Sequence, residues 1–214
     1  CNFKRPNVLP KILKDILENY DPEDLDIVIK KVDYQASNPK LDIQVSVHGY
    51  HEQDNFVQRW NIETIQYRQS KFSLDYSSSL EISNDHPILW QFSDYQSSIY
   101  FSGNCSDPNL MFIDLYKLHK SLFEGLISFE ETLNQGNDFC NFISNSTSGL
   151  LANGPKKLLV KYGEILKKYN LNYTIIGDRI PTYWNGEKHE TEVGNAKVLF
   201  IDSSYIVADE FLFS

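Results

Sequence analysis

The chain is short of the residues that announce chemistry. It has three cysteines, an odd number, and no Cys-x-x-Cys spacing. Neither a disulfide framework nor a zinc ribbon is therefore supported. Cys105 and Cys140 remain compatible with a pair in an exported protein or with reduced thiols in the cytosol. No basic run exceeds two residues, and 20 Lys and Arg face 29 Asp and Glu, a net charge of -9. Nucleic-acid binders gain affinity by neutralising phosphates with cations, so a broad nucleic-acid surface is not expected. The apolar runs are too short for a membrane-spanning helix.

Recognised catalytic signatures are missing too. The sequence contains no Walker A loop, no Gly-x-Gly-x-x-Gly, no Gly-x-Ser-x-Gly elbow, no His-Glu-x-x-His and no EF-hand loop. No cofactor and no resident metal are expected on this basis. As it stands, the sequence also lacks a secretory signal peptide, so a cytoplasmic location is expected. The alternative is a bacterial lipoprotein whose lipidated residue is Cys1.

What is present is globular. Hydrophobic residues make up 41% and aromatics 14%, and there is a single Met, so the core is expected to be built on rings. The length suits one domain. Leu9, Ile12, Leu13, Ile16, Leu17 and Tyr20 recur at helical spacing, and Leu25, Val28, Ile29 and Val32 suggest a second helical piece over 24–32. Leu41, Ile43, Val45 and Val47 alternate with polar residues, as in a strand with one dry face. Residues 56–67 read as the returning strand, with a parity change between Ile62 and Ile65 that signals a bulge near Thr64 or two environments. Phe72, Leu74 and Tyr76 suggest a third strand, and 98–101 a further one.

The second half reads as mainly helical: from Asp107-Pro108 to Gly125, a short helix around Phe129, and the clear amphipathic run from Pro155 to Tyr169. Strands are expected at 173–176, 198–201 and 205–208, with 177–195 a long loop. The fold class is α+β: an antiparallel sheet from the middle strands 41–76 plus short C-terminal strands, packed by helices from the N-terminus and the second half.

Several residue groups invite a functional reading. Tyr183 and Trp184, with Arg179 and His189 nearby, combine aromatic rings and a cation as recognition surfaces do. Asp85-His86 could supply a base with an orienting carboxylate, or could be turn chemistry before Pro87. His48 and His51 are close enough for a shared metal if a turn converges them. His119 lies on a helix face. Ser146, Thr147, Ser148 and Gly149 precede the helix at Pro155, where amides could meet an anion. Asp202, Asp209 and Glu210 flank the last strands. The expected function is a non-catalytic binding protein, inhibitor- or immunity-like, that uses the 180–189 loop and its acidity towards a partner with a basic surface. The alternative is a hydrolase with a dispersed site around His86.

Overall fold

The computed structural model describes residues 9–34, 38–49, 55–73, 75–134, 138–184, 187–191 and 194–214. They form two compact units. The first takes the described residues of Cys1–Leu89, Tyr183–Glu190 and Asn195–Ser214, the second those of Trp90–Thr182 and Thr191–Gly194. Each has its own core. The class is α+β with antiparallel pairing, as the alternating runs imply.

In the first unit, helix α1 (Lys11–Asn19) buries Leu13 and Ile16. A short 3-10 turn, Pro22–Asp24, leads into strand β1 (Leu25–Asp33), followed by β2 (Lys40–Val47) and β3 (Phe56–Ile65). The helical spacing at 24–32 is thus overridden. Leu25 and Ile27 also alternate, the segment is rich in β-branched residues, and it pairs with β2 from Leu25↔Val47 to Asp33↔Lys40. A register shift between Ile29 and Lys31 explains the ambiguous pattern, because the bulge moves later residues to the other face.

Sheet order is β1-β2-β3-β13, with β13 at Glu210–Phe213. No register shift occurs near Thr64. Instead Thr64 is 1% exposed and takes a core-facing position, its hydroxyl donating to the Pro39 carbonyl at 2.8 Å. A satisfied hydroxyl continues the inward series that the apolar pattern appears to break.

A second sheet of this unit has the order β4-β12-β11-β5, from β4 (Gln69–Lys71), β5 (Glu81–Ser83), β11 (Lys197–Ile201) and β12 (Ser204–Ala208). The third strand expected around Phe72 is limited to β4, and Leu74 lies outside the described residues. A third, two-stranded element joins β9 (Thr182–Trp184) to β10 (His189–Thr191) where a loop was expected.

In the second unit, β6 (Gln96–Ser102) is the centre of a three-stranded sheet between β7 (Ser148–Pro155) and β8 (Asn172–Arg179). Helices α2 (Trp90–Ser93), α3 (Pro108–Phe123), α4 (Phe129–Thr132), α5 (Phe139–Asn145) and α6 (Lys156–Lys168) complete it. Asp107 caps α3 by accepting from the Leu110 amide at 3.0 Å, and Glu124 ends that helix in the left-handed region. No described helix is long and apolar enough to cross a membrane.

Candidate binding site

The β9–β10 hairpin carries three of the four residues singled out for binding. Its side chains follow strand alternation: Tyr183 and Glu190 are half-buried, while Trp184 and His189 are exposed. On the inner side the Tyr183 hydroxyl donates to Glu190 Oε2 at 3.1 Å. Burial and that hydrogen bond push the Tyr183 phenol above its ordinary range. The Arg68 guanidinium lies over the Tyr183 ring, 3.7 Å from its centre.

Arg68 is the residue that sequence reasoning missed. Its side chain is 1% exposed, and Nη2 donates to Asp209 Oδ1 at 3.1 Å, with the Asp209 side chain 11% exposed. Nη1 donates to the Gln66 carbonyl, and the Arg68 amide donates to the Val207 carbonyl at 2.9 Å. A buried guanidinium is tolerable only when paired and hydrogen-bonded, and here carboxylate, carbonyl and aromatic face together satisfy it. By sequence Asp209 is only an acid beside the last strand. Its partner is 141 residues away in the chain, so local spacing carried no signal of the pair.

On the outer side, Trp184 is 57% exposed and its ring meets His189 edge-on at 5.2 Å between centres. The hairpin thus leaves most of this indole in water while its inner face packs against the buried Arg68. Arg179 ends β8 in the second unit, opposite Gln96. It belongs to a different element from the hairpin.

The other candidates resolve into local structure. Asp85 Oδ1 accepts from the Ser83 hydroxyl at 2.9 Å, and His86 Nδ1 accepts from the Ile88 amide at 3.2 Å. An imidazole nitrogen that accepts a backbone proton is unprotonated at that atom. The His86 ring also packs edge-on against Phe200 at 4.8 Å. His48 Nε2 meets Asp26 Oδ2 at 2.9 Å across the β1–β2 ladder, and His51 lies outside the described residues. Among the described residues no group of three His, Cys, Asp or Glu could hold a metal.

Asp202 accepts from the Ser78 amide at 2.7 Å and from the Ser79 hydroxyl. The start of α6 is already occupied by a carboxylate of the chain itself, since the Lys157 amide donates to Asp94 Oδ2 at 2.5 Å. Gly149 lies in β7 beneath the Phe142 ring, which leaves no space beside it for an anion. Cys105 and Cys140 are both free thiols, pushed up from the ordinary range by burial.

Comparisons with protein-family models, curated proteins and solved structures find no match to this chain.

Proposed function

We propose that the protein is a non-catalytic binding protein that engages a basic partner surface through the β9–β10 hairpin. The observation that carries this reading is the two-sided hairpin. Its inner face is clamped by Arg68 between Tyr183 and Asp209, and its outer face presents Trp184 with half its surface in water. Aromatic anchors of this kind dominate interface energetics when a partner pocket desolvates them. The excess of acids over bases, net -9, matches a basic partner.

The test is affinity capture with the intact chain as bait, read by quantitative mass spectrometry beside Trp184→Ala. Truncating a central aromatic anchor costs a complex about 2–4 kcal/mol, a loss of roughly thirtyfold or more in affinity. The expected result is selective loss of a partner with a basic surface from the variant's captures, while the variant keeps the wild-type melting temperature. Identical captures from the two baits would refute the hairpin as the contact.

A further inference from the structure

The second unit holds a recess of about 380 Å³, and every residue that lines it belongs to that unit. Its walls come from α2, the start of β6, the end of α3, α4, the end of β7 and the first turn of α6. The volume falls within the range of small-molecule sites, about 300–1,000 Å³. Phe123 and Leu158, each 1% exposed, form its apolar side together with the half-buried Phe92 and Ile127. Gly154 helps to keep it open. It lies in β7 at φ +153°, and a Cβ there would stand 3.9 Å from both Leu158 Cδ2 and Thr132 Cγ2, two residues of the same lining. Glycine leaves vacant the space that a side chain would share with them.

Two polar side chains share this lining. Gln96 Nε2 has three carbonyl oxygens around it, those of Trp90 at 3.4 Å, Gln91 at 3.2 Å and Asp94 at 3.2 Å. Three acceptors around one atom identify it as the amide nitrogen and hold the amide in place. Gln96 Oε1 is thereby a fixed acceptor, and it has no hydrogen-bond partner among the described residues. Glu131, exposed on α4, is the one ionisable side chain of the lining, and it enters no salt bridge among the described residues. No Lys, Arg or His lines the recess. A carboxylate or phosphate ligand would therefore meet a like charge with no cation to offset it, whereas a cationic one is favoured.

We propose that the recess is a binding site for a small aromatic amine. The ring lies among Phe92, Phe123, Ile127 and Leu158, and the ammonium donates to the Glu131 carboxylate and to Gln96 Oε1. Apolar walls with a few placed polar groups are the usual make-up of such sites, the walls supplying affinity and the polar groups orientation. An acceptor already anchored by three carbonyls loses little freedom when it takes up the ligand's proton, and a charge-assisted bond to a carboxylate is the stronger of the two contacts. The inference goes beyond the hairpin reading and does not rest on it.

The probe is phenethylamine, titrated into the nitrogen-15-labelled full chain, with phenethyl alcohol and phenylpropionate as its neutral and anionic counterparts. Saturable shifts are expected at the Gln96 side-chain amide and at the Thr132 and Gly154 backbone amides, with a millimolar or lower Kd for so small a ligand. The alcohol should bind roughly tenfold more weakly and phenylpropionate more weakly still, because only the ammonium gains from the carboxylate. Glu131→Gln should weaken phenethylamine roughly tenfold and leave the alcohol unchanged, a split that a merely structural role would not produce. Ile127→Trp fills the recess and should abolish the shifts with all three compounds. Should that variant fail to fold, Glu131→Gln, at an exposed position, carries the decision alone. No saturable shift at millimolar phenethylamine, shifts that map outside the recess, equal binding of amine and carboxylate, or a Glu131→Gln chain that binds the amine as tightly as wild type would each overturn the assignment. None of these outcomes depends on Trp184, so failure here is distinct from failure of the hairpin reading.

Discussion

Among the described residues His119 is the one buried histidine, 2% exposed, and both of its ring nitrogens are occupied. Nε2 donates to the Ile127 carbonyl at 3.0 Å, and Nδ1 accepts from the Tyr162 hydroxyl at 2.7 Å. That tautomer is neutral, and burial lowers the pKa of His119 below its ordinary value of 6.5, against a smaller upward pull from the Ile127 hydrogen bond. Burial drives the Tyr162 phenol strongly upward, which keeps its proton in place for donation. Because the folded pKa is depressed, the unfolded chain binds the proton first as pH falls. Stability is then fully present above the unfolded value and is lost as pH drops through and below 6.5, flattening once the folded chain also takes up the proton. Urea unfolding at pH 7.5 and at pH 5 should show wild type losing stability that His119→Gln does not lose, over and above any change the two share. Parallel curves would mean that the imidazole titrates alike in both states. Sequence spacing placed this histidine on a helix face but could not show its partners, since Tyr162 is 43 residues away.

At the scale of elements, the contact of α6 with β8 depends on a missing side chain. Gly163 is buried on the inner face of α6, and a Cβ there would overlap three ring atoms of Tyr173 on β8. Alanine is the better helix former by about 1 kcal/mol, yet overpacking of this kind costs about 1–3 kcal/mol, so the steric effect wins. Gly163→Ala should lower the melting temperature, whereas the same substitution in a Tyr173→Leu background should be neutral or stabilising. Thermal melts of the four proteins check the sign reversal.

The apolar stripe of α6 was legible from its period, as were α1, α3, β2, β11 and β12. Residues 24–32 misled because the β1 bulge imitates helical spacing. The β9–β10 hairpin was hidden because its alternation spans only three residues a side, and β7 because glycines interrupt its pattern. The aromatic half of the candidate site was visible in Tyr183-Trp184. Its support was not, because Arg68 and Asp209 meet only through tertiary pairing of β4 and β12 segments.

At the scale of the whole molecule, the proposed binding function assigns charge and aromatic anchoring separable contributions. A net charge of -9 acts at long range and raises the encounter rate with a basic surface, but it is screened beyond a Debye length of about 8 Å at physiological salt. An indole desolvated in a partner pocket acts only at contact and sets the dissociation rate. Surface-plasmon kinetics with the partner that Trp184 captures should therefore split cleanly. Raising salt from about 0.05 to about 0.5 M should slow association roughly tenfold and leave dissociation little changed. Reversing exposed acids with Asp21→Lys and Glu23→Lys should reproduce part of that loss at low salt. Trp184→Ala should do the opposite, speeding dissociation while sparing association. A salt-independent association rate would assign the acidity to solubility alone and leave the hairpin as the sole determinant of recognition, whereas a dissociation rate unmoved by Trp184→Ala would place the contact on another face of the molecule.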